Sequence, residues 1–532
     1  MTNMKWYNIS AAVLLAGAAL AACTKLDTEP TGNTVTSKQK EEVVASNPEM
    51  VSASVSGITA MFSVYQKNST AHSDFGYPAI MLFTDSRGRD LVSEDIGYNW
   101  FGNGLDLISD RTFNYRDTRV TWNTLYNQIY SANQVIMLID PETEDSTSQY
   151  YLGQALTIRA FDYFILAQMY QLTYKGHESS PCVPLILDTN ADDAAANGCA
   201  RSTVQQVYDQ IMSDLNKAVT MLEATAMTRP DKRYVDASVA HGLRARVELV
   251  MQDYAAAATD AAKAIELSTA TPKSIADASK PSFKDMTEED WMWGIAIAET
   301  DRVVTSGIVN WPSHMGSLNY GYASVGAWRR INKSLFNAIP DSDVRKGWFL
   351  DADGLSKNLS AEQQDYVTNT AACPAYTQVK FGSYKDEIYS STNACDIPLM
   401  RIEEMYLIQA EALAKSGNAA QGSTVLKDFV TAYRNPSFIV GADAASVADA
   451  VDFQRRVELW GEGLTYYDVL RLGQGLDRRG AGFQAQYVFV LEANDPLLIY
   501  QIPNTEIQAN KLISESDNNP NATTPTPVPD VE

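Results

Sequence analysis

The stretch SQYYLGQALTIRAFDYFILAQMYQL, from Ser148 to Leu172, constrains this chain more than any other. Coiled as a helix, it is apolar over most of its circumference, so no face is left for solvent and other elements must cover it on several sides. It predicts a central, buried helix. Its two charged residues, Arg159 and Asp162, stand three apart, a spacing at which they could pair on one face. The covering elements are legible on either side. TWNTLYNQIYSANQVIMLI places Leu125, Ile129, Ala132, Ile136 and Ile139 on one stripe, and STVQQVYDQIMSDLNKAVTML repeats Val204, Val207, Ile211, Leu215, Val219 and Leu222 at spacings of three and four. Ser202 or Thr203 suits the N-cap of the latter. The proline-rich SSPCVPLIL between them ends the helical pattern.

Two later segments read as helix pairs. YVDASVAHGLRARVELVMQDYAAAATDAAKAIEL forms two antiparallel helices joined near Gln252-Asp253-Tyr254, with Ala237, Ala240, Ala245, Ala257 and Ala261 permitting close approach; it resembles a tetratricopeptide unit without that repeat's full signature. MRIEEMYLIQAEALAKSGN sets Ile402, Met405, Tyr406, Ala410, Leu413 and Ala414 on a stripe, Gly417 supplies the stop, and GSTVLKDFVTAYRN is the partner helix. DFQRRVELWGEGLTYYDVLRLGQGLDRRG then breaks at Gly461-Glu462-Gly463 and resumes. From about residue 270 to 395 periodicity fades and Gly, Ser, Asn, Pro and aromatic residues rise, which predicts long loops with short helices and strands; Trp291 and Trp293 alternate like one face of a strand. Loops this long in a compact protein are usually functional. The fold class is mainly α, with tetratricopeptide-like helix pairs in a single large body, long aperiodic loops and a few short strands.

At the start, Lys5, an apolar run from Ile9 to Ala22 and the small residues before Cys23 make a secretory signal peptide, too short to span a bilayer. Leu20-Ala21-Ala22-Cys23 resembles the lipobox of bacterial lipoproteins, which implies a lipid on Cys23. The expected organisation is a signal peptide at 1–22, a lipidated tether at 23–40, a body at 41–513 and a disordered Pro-, Asn- and Thr-rich tail at 514–532. Within the body, 41–270 and 396–513 are helical and 271–395 is loop-rich. The formal charge of -23 argues against nucleic acid, which demands clustered Lys and Arg. Beyond Cys23, the even remainder Cys182, Cys199, Cys373 and Cys395 suits an exported protein with disulfides; proximity favours Cys182–Cys199 and Cys373–Cys395 among three pairings, and free thiols are the other reading. No nucleotide, zinc-protease or serine-hydrolase motif occurs, the four histidines are scattered, and DADG at Asp351 fits a surface turn better than a calcium loop. No metal or cofactor is expected.

Five segments, in order, resemble the SusD/RagB family of outer-membrane lipoproteins: CTKLDTEP; GQALTIRAFDYFILAQMY followed by VPL; RIEEMYLIQAEALAKSGN; RRVELWGEGLTYYDVLRLG; and IPNTEIQAN. Two features depart from the family pattern: Thr465 stands where an Arg usually follows the Glu-Gly step, and QLTYKGHESSPC lengthens the passage from the RAFDYF helix to the VPL turn. The resemblance implies a non-enzymatic capture protein, lipid-anchored in the outer membrane and facing outward. It would act as a lid that hands oligosaccharide or peptide to a SusC-like TonB-dependent transporter.

Flat aromatic faces in polar loops are what sugar rings or peptides need. Two clusters fit: Tyr98, Trp100 and Phe101 in IGYNWFGNG, and Trp311, Tyr320, Tyr322 and Trp328 in VNWPSHMGSLNYGYASVGAW. A secreted glycoside hydrolase is the competing class, since Glu458, Glu462, Asp468 and Arg471 could supply paired carboxylates; at helical spacing, ion pairs and helix caps explain them better. A helical scaffold without a small ligand is the third reading.

Overall fold

The computed structural model describes residues 37–65, 72–94 and 101–531; the signal segment, Cys23, the tether up to residue 36, and Tyr98 and Trp100 lie outside the described residues. The central helix runs from Ser146 to Tyr170, and every residue from Tyr150 to Tyr170 is buried. Asp145 starts it by accepting from the Ser148 amide at 2.7 Å. Helix Arg116–Ile136 covers one flank and helix Val204–Ala224 another. The latter opens on a capping box in which Thr203 accepts from the Gln206 amide and Gln206 returns the bond to the Thr203 amide. Among the described residues no helix is long and apolar enough to cross a membrane.

From there the helices stack in sequence. Ala237–Met251 packs on Val204–Ala224 and on its own partner Tyr254–Leu267. The turn between the pair is where the pattern placed it: Gln252 adopts φ 64° and Asp253 caps the next helix. Tyr254–Leu267 then packs against Ile402–Lys415, which also carries Ala419–Tyr433 and Ala444–Glu458. The two helix pairs, distant in sequence, therefore belong to one continuous stack. Gly422 makes the closest joint: a β-carbon there would lie 2.5 Å from the Ala410 carbonyl oxygen.

Residues 268–396 leave the stack and return to it. Strands Trp291–Ile295 and Ile397–Arg401 pair antiparallel at the base of this excursion. Trp291 and Trp293 are fully buried, and Trp293 meets Phe62 and Phe161 edge-on at 5.4 and 5.2 Å, locking the ribbon to the central helix. Two more two-stranded ribbons, Leu91–Val92 with Arg330–Ile331 and Leu476–Asp477 with Val490–Leu491, tack the outer loops down.

Three expectations are corrected. Arg159 does not pair with Asp162. It forks onto Asp214 at 2.7 and 2.8 Å and reaches Asp188 at 2.6 Å, because the helix Val204–Ala224 offers a carboxylate in line with its guanidinium. Asp162 is left buried with neither oxygen bonded to protein, and burial pushes its carboxyl well above the ordinary range. The four cysteines are free thiols. The Cys199 and Cys395 sulfurs point at the carbonyls of Leu185 and Gly382, at 3.6 and 3.8 Å. Burial pushes the thiols of Cys182, Cys373 and Cys395 up to about 12, which keeps them unreactive. Finally, the tail is seated on the body. Asn519, 4 % exposed, donates to the carbonyls of Tyr170 and Tyr500, both at 2.6 Å, closing the C-terminal end of the central helix. Further on, Val528 bonds the Val488 carbonyl at 2.9 Å. Amide side chains do here what apolar residues do elsewhere, so composition alone suggested disorder.

Candidate functional site

The excursion is held from beneath by charge. Arg401, at the end of its return strand, is fully buried and bonds Glu458 at 3.0 Å and Glu462 at 2.8 and 2.9 Å. Arg434 forks onto Glu458 at 2.7 and 2.8 Å, and Arg345 reaches the same carboxylate at 3.1 Å. Lys380 bonds Glu462 at 2.6 Å and the carbonyls of Glu458 and Trp460 at 2.9 Å. Burial opposes charge on Glu458, yet Arg434, Arg401 and Arg345 together hold its carboxyl well below the ordinary range. Gly461 and Gly463, at φ 77° and 74°, turn the chain tightly enough to present Glu462 inward. Asp468 is likewise spent, between Arg455 at 2.8 Å and Arg471 at 2.6 Å. Each of these carboxylates is buried and committed to cations, so none stands ready to protonate a leaving group; only Asp468 and Arg471 pair at the helical spacing the sequence suggests, the partners of Glu458 and Glu462 coming from distant segments.

On the outer side, Leu318, Leu350, Tyr366, Val367, Ala371 and Val379 form a small apolar cluster separate from the main core. A shelf of aromatic side chains rests on it. Tyr320 and Tyr389, 37 % and 51 % exposed, meet edge to face at 5.0 Å. Tyr366 lies against Tyr389 at 5.9 Å. Backbone bonds fix both exposed tyrosines: the Tyr320 amide donates to Ser390 at 3.0 Å and the Tyr389 amide to Leu318 at 2.8 Å. Trp328 is half-buried on the same footing, its indole N–H donating to the Ala371 carbonyl at 3.3 Å. Asn393 donates to the Tyr320 carbonyl at 3.1 Å while its own side-chain oxygen is unpartnered.

The other predicted aromatics among the described residues lie inside. Phe101 is 2 % exposed and packs against Phe83 and His314; Trp311, equally buried, meets Phe381 edge-on at 4.9 Å. Tyr322 stacks on His314 at 4.7 Å and its hydroxyl meets His72 Nδ1 at 2.8 Å. Burial, with Arg329 nearby, holds the His314 imidazole well below its usual range, so it packs as a neutral ring. Loops rich in Gly and Asn suggest exposure of these three; those residues instead let the chain fold back so that large rings point inward. Asp351 forms a turn, as the sequence suggested, its carboxylate accepting from the amides of Asp353 and Leu355.

A family model described as starch-binding, associating with the outer membrane, matches residues 82–249, and the SusD family model matches residues 350–521. The chain belongs to the SusD/RagB family. Solved SusD-family structures share its fold over most of its length. A SusD-like carbohydrate-binding protein from Bacteroides vulgatus superposes with a TM-score of 0.71 at 21 % identity, covering 88 % of this chain and 97 % of its own. A SusD superfamily protein from Bacteroides thetaiotaomicron gives 0.70 at 22 % identity, covering 89 % and 99 %. A laminarin-binding SusD-like protein gives 0.61 at 18 % identity, covering 89 % and 99 %. SusD-like protein P38 of Formosa agariphila is 22 % identical over 421 residues, 70 % of this chain and 76 % of that protein. SusD-family proteins bind their ligands without catalysis, in keeping with the committed carboxylates. In this SusD-family chain, sequence reasoning missed Tyr389 and Tyr366. The segment SYKDEIYS does carry two tyrosines among charges, a signal for exposure, but nothing local announces that it folds back onto Tyr320.

Proposed function

We propose that this chain captures oligosaccharide at the cell surface and hands it to a SusC-like TonB-dependent transporter, acting as a lid. A lipid on Cys23 tethers it to the outer membrane. The observation that carries the reading is the Tyr320–Tyr389 pair: two exposed rings at a fixed angle, on a footing rigid enough to keep them in place before a ligand arrives. The C–H faces of a sugar ring stack on such rings, while neighbouring polar groups of the loops suit hydroxyls. The laminarin-binding relative and the starch-binding description of the matching family model support sugar over peptide. Closure of a lid requires that ligand favour the shut state through contacts it makes only there.

The test is titration of the purified protein with laminarin and starch oligosaccharides, and with peptides, products being followed in parallel. Saturable sugar binding without cleavage is expected; peptide binding alone, or turnover, would defeat the reading. Gentle extraction from the native membrane should recover an acylated chain with a barrel partner in equal amount, and recovery in the aqueous fraction would remove the anchor and the lid together.

A further inference from the structure

The segment that carries Tyr389 is bent against its own backbone preference. Lys385, Asp386 and Tyr389 lie at φ 54°, 61° and 64°, the left-handed region that a β-carbon disfavours and that Gly or Asn enters more readily. Such residues persist only where the surroundings over-determine the turn, and they gather at ligand sites. Here residues 318–320 hold the turn. The Tyr384 amide donates to Asn319 Oδ1 at 3.3 Å, the Tyr389 amide to the Leu318 carbonyl at 2.8 Å, and the Tyr320 amide returns a bond to the Ser390 carbonyl at 3.0 Å. Lys284 pairs with Asp386 as well. The backbone around Lys385 is thus tied to the segment that carries Tyr320, while the Lys385 side chain stays 60 % exposed.

Glu299, 54 % exposed, reaches this turn from another loop. Its Oε1 accepts both from the Tyr384 hydroxyl at 2.6 Å and from Lys385 Nζ at 2.7 Å. Its Oε2 accepts no bond among the described residues, and the Lys385 ammonium has donors to spare. The bonds from Lys385 and Tyr384 hold the Glu299 carboxyl below its ordinary range, so it stays charged. An exposed ion pair of this kind contributes little to stability. We infer that Glu299 and Lys385 form a polar subsite on the rim of the Tyr320–Tyr389 shelf and take the hydroxyls of a neutral sugar whose ring stacks there. A hydroxyl is donor and acceptor at once, so a carboxylate oxygen beside an ammonium satisfies it in both senses, with charge-assisted bonds stronger than neutral ones. The pair carries no net charge, which suits an uncharged glycan over an acidic or a basic one. That the ligand is a glycan rests on the capture reading above; that its hydroxyls are held at this pair does not.

The experiment is calorimetric titration of the purified protein with laminarihexaose and with maltohexaose, with Tm measured alongside, on the wild type, E299Q, K385N and Y320A/Y389A. Glu299→Gln keeps an oxygen for Tyr384 and Lys385 but sets an amide donor where the free oxygen stood. Lys385→Asn removes the ammonium and puts at φ 54° a residue that tolerates it. Whichever hexaose the wild type binds should bind about fivefold or more weakly to each single variant. Tm should hardly move in E299Q and should hold or rise in K385N, a pairing of kept stability with lost affinity that a purely structural role does not give. Wild-type affinity in both single variants, or a loss that comes only with a lowered Tm, would overturn the inference. If both keep wild-type affinity while Y320A/Y389A loses it, the shelf reading stands and this one falls; if the wild type binds neither sugar, both fall.

Discussion

Two sets of buried carboxyls divide this molecule. Among the N-terminal helices, Asp85 and Asp162 are buried without a cation bonded to them. Burial pushes the Asp85 carboxyl up to about 8, a Gly463 amide bond offsetting only part of the shift, and it pushes Asp162 well above the ordinary range. Under the excursion, Glu458 and Glu462 are just as deeply buried, but Arg401, Arg434, Arg345 and Lys380 hold both below the ordinary range. The first pair sits in elements whose packing is settled by apolar stripes; there a protonated acid behaves as one more polar atom in a core. The second set ties loops that have no stripe of their own to the helical stack. Charge does the work where periodicity is missing, and it places the aromatic shelf on a footing that does not depend on regular secondary structure.

The contrast breaks first at Arg401. Arg401→Leu leaves Glu458 and Glu462 short of a partner in a dry site and should cost roughly 3–5 kcal/mol, seen as a large drop in Tm. A loss no greater than that of a surface substitution would mean the cluster does not anchor the excursion. The two sets also answer pH with opposite signs. For Asp85, whose folded pKa of about 8 lies above its unfolded value, stability is fully present in acid and is lost as pH rises toward about 8. Asp85→Asn should therefore gain on the wild type as pH is raised from about 4 to about 8, by up to about 1.4 kcal/mol per pH unit. For Glu458 the stability is present above the unfolded value and is lost on acidification, so Glu458 variants should flatten the acid limb instead. Chemical denaturation from about pH 4 to about 8 measures the first and its extension to lower pH the second; parallel curves for wild type and Asp85→Asn would erase the distinction.

Within the stack the limit is space rather than charge. Gly422→Val would drive a side chain into the Ala410 carbonyl and should cost about 1–3 kcal/mol by forcing two helices apart. An unchanged Tm would show that the joint has room the geometry denies it.

The same division explains what could be read from the sequence. Helices were legible because their signals are local: the Thr203 cap, the Gln252 turn and the Gly417 stop each act within a few residues of the helix they bound. The strand face of Trp291 and Trp293 was legible for the same reason. The excursion was not, because its determinants are distant: Trp328 is held by Ala371, Tyr389 by Leu318, and Arg401 by carboxylates that follow it by more than fifty residues. Of the predicted aromatics that the structure describes, Tyr320 and Trp328 reach the outer face, while Phe101, Trp311 and Tyr322 were misplaced because a glycine-rich loop was equated with exposure. The tail was misread for a related reason. Asn519→Ala should strip the bonds to the Tyr170 and Tyr500 carbonyls and cost about 1–2 kcal/mol, with earlier hydrogen exchange at the end of the central helix. Exchange there that matches the wild type would return the tail to an ornament.

The smallest expected effect on stability is the one that bears most on function. Tyr320 and Tyr389 touch each other and the rim of the small apolar cluster, but their outer faces are exposed. Replacing both by Ala removes exposed rings and no buried bond from their hydroxyls, so unfolding should shift by about 0.5 kcal/mol or less. Glycan affinity should fall about tenfold or more, since stacking is what these faces have to give. A structural role would show the reverse pattern: a lowered Tm with binding intact. Because the ion cluster beneath them is untouched, the double variant separates the footing from the surface it carries, and only the surface should matter to the sugar.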